Sequence, residues 1–167
     1  WVVAETPEQA ADAAALVEVD WDDLPVAMDC VRVMQPGAPQ IWSDAPRNIC
    51  FEWELGDAAA VEAAFGKAAR IVELAVRNNR IVQSPMETRG CLAHHDAAAD
   101  KLTLETGTQM PNPMKTQIVG LLGLKPEQIR VTVDDVGGGF GGRNSLYPEQ
   151  VLALLSAKAL RRPVKWM

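Results

Sequence analysis

Positive charge is scarce in this chain. Lys and Arg number 16 against 22 Asp and Glu over 167 residues, for a net charge of −6. A surface that grips a phosphate backbone needs a basic face, so nucleic acid is not an expected partner. Cysteine is sparse too: Cys30, Cys50 and Cys91 stand 20 and 41 positions apart, with no C-x-x-C pair. That spacing argues against a zinc or iron–sulfur site built from this chain alone, and it predicts buried, reduced thiols in a cytoplasmic protein. The two histidines, His94 and His95, are adjacent. On a strand they point to opposite faces and cannot share a metal, so they read as a polar pair at a strand end. No apolar run is long enough for a membrane span, and no leader pattern is expected. What remains is ordinary for a globular domain: 48% apolar and 23% charged residues. The chain opens on Trp1 and closes on Lys165-Trp166-Met167, inside an apparent strand, so an internal piece of a longer subunit is expected.

Local patterns give an α/β chain. Residues 2–4 read as a strand end. Thr6 caps a helix over Pro7–Val17, with Pro7 at its first position. Val17–Trp21 alternates like a half-buried strand, and Leu24-Pro25-Val26 continues extended. Residues 30–56, rich in Pro, Asn and Asp, form an irregular linker that Trp42 and Trp53 anchor by packing. Asp57 caps a helix over Ala58–Ala69, with Val61, Ala64, Phe65 and Ala68 on a core-facing side. Strands follow at Ile71–Arg77, Gly90–His95 and Lys101–Thr106, the last two joined by a turn through Asp96 and Asp100. A helix over Asn112–Leu122, capped by Asn112, leads through Pro126-Glu127-Gln128 into the strand Ile129–Val133. Pro148–Leu160 is the last helix.

Between those last two elements lies Val136-Gly137-Gly138-Gly139-Phe140-Gly141-Gly142-Arg143. So many glycines need a reason, because each costs backbone entropy. A flexible linker is usually rich in serine and rarely carries Phe. A glycine turn between strand and helix instead offers free backbone N–H groups to an anionic or oxo ligand. Gly137, Gly139 and Gly142 satisfy G-x-G-x-x-G. The helix, however, opens later, and Leu160–Val164, about 20 positions on, holds no acid. Gly137 and Gly142 also carry the Walker spacing, but Arg143 and Asn144 replace its Lys and Ser/Thr. A phosphate-binding loop of another class, or a binding module without chemistry, stays open on these grounds.

The stretch Gly-Gly-Gly-Phe-Gly-Gly-Arg also resembles the GGGFGGK loop of the molybdenum hydroxylases. This is the family of xanthine dehydrogenase, aldehyde oxidase and aerobic carbon monoxide dehydrogenase. Other blocks resemble it in the same order. Upstream stand Pro85-Met86-Glu87-Thr88-Arg89-Gly90, Thr108-Gln109, Leu122-Gly123-Leu124 and Ile129-Arg130-Val131. Downstream stands Arg162-Pro163-Val164-Lys165-Trp166, with Leu160-Arg161 where the family often has Leu-Gly. The likeness covers roughly residues 70 to 167.

The resemblance implies the end of a small hammerhead-like α/β domain at 1–29, a linker at 30–56, and the first part of a molybdopterin-binding domain at 57–167. That domain would carry a mixed sheet with flanking helices. Gln109 would hydrogen-bond an oxygen on molybdenum. Phe140 would sit beside the metal, and Gly138, Gly139, Gly141, Gly142 and Arg143 would complete the cofactor contact. The general base, a Glu, is expected downstream of Met167. In xanthine-type members a purine-contacting Glu stands where Asn144 stands here, which turns the expectation toward carbon monoxide, an aldehyde or an N-heterocycle as substrate. Water would supply the oxygen. The bacterial resemblance favours the cytosine dinucleotide form of molybdopterin. Electrons would leave through a 2Fe-2S small subunit and an FAD-binding medium subunit, in a dimer of heterotrimers. Glu87 is expected in a structural ion pair with Arg89 or Arg143.

Overall fold

The structure is a computed structural model and describes residues 1–167. The chain divides into two compact units, one of Trp1–Val17 with Asn79–Met167 and one of Glu18–Asn78.

The first unit is built on a four-stranded sheet. Its strands are β1 (Cys91–Asp96), β2 (Lys101–Thr106), β3 (Ile129–Thr132) and β4 (Val164–Trp166), in the order β3-β2-β1-β4. β1 pairs antiparallel with β2 and β4, whereas β2 and β3 run parallel. The mixed sheet and its flanking helices match the expected fold class. The hairpin turns at Asp96, whose carboxylate accepts from Ala98 N and Ala99 N at 3.0 and 3.1 Å. This is the local bond that suits Asp to tight turns. A parallel pair needs a crossover, and α3 (Pro111–Leu122) supplies it between β2 and β3. α4 (Pro148–Leu160) joins β3 to β4.

Strand alternation decides where the core lies. Leu102, Leu104 and Thr106 of β2 are buried together with Cys91 and Ala93 of β1, while the residues between them are exposed or half-buried. Met114 and Ile118 of α3 and Ala153, Leu154 and Ala157 of α4 close over that face. Small residues on α4 let its backbone approach the sheet. Gln150, also buried, donates to Thr106 Oγ1 at 3.0 Å, and that hydroxyl donates to Gly90 O at 2.8 Å. A buried amide is thus paired, as burial requires. α3 begins one residue earlier than expected, at Pro111, and Asn112 is not its cap. It stops at Gly123, in the left-handed region at φ 62°, where glycine carries no Cβ penalty. α1 (Pro7–Ala15) is capped as expected by Thr6, whose hydroxyl accepts from Gln9 N at 3.2 Å, but it ends two residues early.

The second unit holds α2 (Ala58–Lys67) and two 3-10 turns at Arg32–Met34 and Pro46–Asn48. Asp57 caps α2 by accepting from Ala60 N at 3.0 Å. The strands expected at 17–21 and 71–77 do not form, nor does one at 2–4. An alternating sequence becomes a strand only beside a partner, and no other strand pairs with these segments. Val61 and Phe65 on α2 stay exposed, so the expected core-facing side is not covered here. Trp42 and Trp53 are 67% and 75% exposed and anchor nothing. The 33–48 stretch is tied instead by Asn48. Its amide donates to Val33 O and Pro39 O at 2.8 and 3.0 Å and accepts from Ile41 N at 2.8 Å.

Candidate functional site: a donor-lined loop at one sheet edge

Topology brings three segments to a single edge of the sheet. β2 and β3 are parallel, so their C-terminal ends lie side by side. β1 is antiparallel to β2, so its beginning lies at the same edge. Thr108-Gln109 follows β2, the glycine loop follows β3, and Gln83–Thr88 precedes β1. The ends of parallel strands are where open α/β sheets place ligands.

The preceding segment lines the loop closely. A Cβ on Gly138 would come within 3.2 Å of Pro85, and one on Gly142 within 3.2 Å of Gln83. On Gly137 a Cβ would overlap Glu87, and on Gly139 it would overlap the Gln109 amide. Three of these glycines are therefore required by close approach rather than by flexibility. The fourth, Gly138, also has φ 98°, and Gly141 has φ 84°.

Several of the loop's hydrogen-bonding groups are paired inside the chain. Gly137 N donates to Glu87 Oε2 at 2.7 Å. Gly141 N and Arg143 N both donate to Gln109 Oε1, at 3.1 and 3.3 Å. Gly142 N donates to Gly139 O at 2.7 Å. Arg143 O accepts from Thr108 Oγ1 at 2.9 Å and from Gln109 N at 3.1 Å. Tyr147 Oη donates to Gly142 O at 2.5 Å.

Arg143 is 3% exposed, and its two terminal nitrogens are engaged within the chain while its buried Nε has no partner. Arg143 donates to Glu87 Oε2 at 2.6 Å, to Glu87 O at 2.6 Å and to Thr88 O at 3.4 Å. The Gly137 N–H, together with Arg143, holds the Glu87 carboxyl below the ordinary glutamate value against the opposing pull of burial. Of the two partners expected for Glu87, it is Arg143 that takes the pair. Arg89 turns to Glu149 at 2.9 Å and lies 4.0 Å over the Tyr147 ring.

What is left over includes a set of donors. The N–H groups of Gly138, Gly139 and Phe140 have no acceptor in the chain. Because Gln109 Oε1 is held by two backbone N–H groups, its Nε2 is turned free as a donor. Phe140 lies at the tip, 73% exposed, at φ 48°. Three backbone N–H groups and one amide NH2 suit a ligand that presents oxygen acceptors. No cationic side chain is available at the tip, and no cluster of ligating side chains could hold a metal ion directly.

Residues 41–167 match the molybdopterin cofactor-binding domain. The chain belongs to that family. It is 35% identical over 178 residues to the carbon monoxide dehydrogenase large chain of Hydrogenophaga pseudoflava, covering 99% of this chain and 22% of that one. It is 36% identical over 168 residues to the nicotine 6-hydroxylase large subunit of Paenarthrobacter nicotinovorans, covering 99% of this chain and 20% of that one. Among solved structures, a Cu,Mo-CO dehydrogenase in the carbon monoxide reduced state superposes with a TM-score of 0.87 at 35% identity, over 96% of this chain and 22% of that one. The chain thus spans about a fifth of the length of the relatives it matches.

For a member of the molybdopterin cofactor-binding domain family, the free donors at the tip fit a cofactor that carries oxo and phosphate oxygens. Gln109 and Gly138, Gly139 and Phe140 come together with free donors. Gly141, Gly142 and Arg143 come to the same place with their N–H groups already used. Sequence reading did not single out Tyr147 or Gln150, which fasten the far stem of the loop and the sheet beneath it. Their only signal was position: a Tyr and a Gln around the start of α4, just after a glycine loop.

Proposed function

We propose that this chain is the part of a molybdenum hydroxylase large subunit that presents hydrogen-bond donors to the cofactor. The observation that carries this is the free amide of Gln109 beside the free N–H groups of Gly138, Gly139 and Phe140. A donor fixed in advance on a rigid turn stabilises negative charge without reorganising. The bound cofactor supplies the redox chemistry. This chain holds and orients it, excludes water with Phe140, and donates hydrogen bonds.

In this reading the full subunit is an oxidoreductase acting on carbon monoxide, an aldehyde or an N-heterocycle, with its general base beyond Met167. Names of relatives that act on carbon monoxide and nicotine support that range, and Asn144 speaks against a purine. The cofactor is the cytosine dinucleotide form. Electrons pass to 2Fe-2S and FAD subunits in a cytoplasmic dimer of heterotrimers. Residues 1–29 close a hammerhead-like domain, 30–56 link, and 57–167 open the cofactor domain. Gly141, Gly142 and Arg143 serve the cofactor by shaping the loop.

The test is Gln109→Glu in the full-length complex, matured with its partners. The carboxylate keeps an acceptor for Gly141 N and Arg143 N but replaces the free donor with a second acceptor. Turnover is expected to fall about a hundredfold, in line with loss of one preorganised donor, while the fold stays intact. Wild-type turnover in this variant, or wild-type complex lacking molybdenum, would sink the reading.

A further inference from the structure

Glu87 has no place in the donor set, yet one of its oxygens holds both stems of the loop. Oε2 accepts from Gly137 N at 2.7 Å on the entering stem and from Arg143 Nη1 at 2.6 Å on the leaving stem. Between these two points lie Gly138, Gly139 and Phe140, the residues whose N–H groups are free. The closure is reinforced on the Arg143 side. Arg143 is buried, and its second arm reaches the backbone carbonyl of Glu87 itself at 2.6 Å. The guanidinium also lies against Gly107, where a Cβ would overlap Nη1. A planar fork with donors on both arms performs this double contact, which a single ammonium cannot reproduce in the same geometry.

We propose that Glu87 is a positioning residue: its carboxylate bridges Gly137 and Arg143 and so sets the width of the loop that presents the three free N–H groups to the cofactor. This rests on the cofactor reading above. Reach is the essential property. The bridging oxygen must touch both stems at once, and a side chain one methylene shorter meets only one of them. Charge adds to the bridge, because hydrogen bonds to an ionised partner are the stronger kind.

The experiment compares wild type, Glu87→Gln and Glu87→Asp in the full-length complex purified with its partner subunits. Gln keeps the reach and loses the charge; Asp keeps the charge and loses the reach. Both are conservative enough to fold. The first measurement is amide hydrogen exchange of residues 137–143 against that of the β1–β2 hairpin. In Glu87→Asp the loop is expected to exchange at least about tenfold faster while the hairpin is unchanged, with Glu87→Gln between the two. The second is molybdenum and pterin per large subunit, expected to fall in the same order.

Loop exchange in Glu87→Asp equal to wild type overturns the proposal. So does a rise of equal size in the hairpin, which would mark Glu87 as merely structural. Faster loop exchange with unchanged cofactor content overturns the positioning role as well. A wild-type complex without molybdenum overturns the cofactor reading alone and leaves the exchange result to stand or fall separately.

Discussion

Phe140 occupies a backbone conformation that L-residues rarely adopt, at φ 48°, with its ring in the open. Such strain costs about 1–3 kcal/mol and persists where the surroundings fix it. Glycine at this position would relieve it. Phe140→Gly is therefore expected to keep or slightly raise the thermal midpoint of the full-length subunit while lowering its turnover, a separation that melting curves and assays read directly. Glu87 gives a pH effect of definite sign. Its folded carboxyl is held below the ordinary value of 4.5. The unfolded chain therefore binds the proton more readily, and stability rises with pH through that window. The contribution is complete above about pH 4.5 and is lost as pH falls through the lowered folded value. Urea midpoints from pH 7 to pH 3 are expected to fall less in Glu87→Gln than in wild type. The sequence named Gln109 and the glycine loop because a motif marks them. It left Glu87 between two arginines, since only the meeting of β1's entry with β3's exit selects Arg143.

At the scale of elements, α4 covers more of the sheet than α3 does. Leu154 is fully buried, flanked by Ala153 and Ala157 against the sheet. Leu154→Ala is expected to cost about 2.7–5.0 kcal/mol, read from denaturant unfolding. The same helix ends on Arg161 in the left-handed region at φ 54°. This is the position at which the family resemblance implies a glycine. Arg161→Gly removes a Cβ penalty of about 1–2 kcal/mol and gives some of it back as unfolded-state entropy, so a rise in thermal midpoint is expected. Helices were legible because their caps and proline starts are local: Thr6, Asp57, Pro148. The strands β1 to β4 were legible because each alternates and each finds a neighbour. Residues 71–77 alternate just as well and stay single, since pairing depends on what lies beside a segment rather than within it.

Over the whole molecule, apolar surface is unevenly covered. Trp21, Leu24, Phe51, Trp53, Leu55, Ile71, Val72 and Leu74 are all exposed, and no residue of Glu18–Asn78 is buried. Exposed apolar area on this scale marks surface that meets other protein. The isolated chain is expected to self-associate, which light scattering across a concentration series checks. No helix is long and apolar enough to cross a membrane. Reduced thiols were anticipated as buried, but only Cys91 is; Cys30 and Cys50 are exposed. Burial, with Glu149 nearby, pushes the Cys91 thiol up to about 11. Its thiolate is the reactive form and is nearly absent at pH 8. Thiol titration of the folded chain is expected to consume Cys30 and Cys50 rapidly and Cys91 only on unfolding.

The bridge between Glu87 and Arg143 spans 56 positions of sequence. The β1–β2 hairpin closes locally and meets little loop-closure entropy, whereas this bridge has to bring together distant parts of the chain. During synthesis the hairpin and α3 can assemble as soon as they emerge, but the glycine loop takes its shape only after Arg143 has followed. The donor-bearing loop thus closes only once Arg143 has emerged, while α4 and β4, which complete the core and the sheet beneath it, follow still later in the chain.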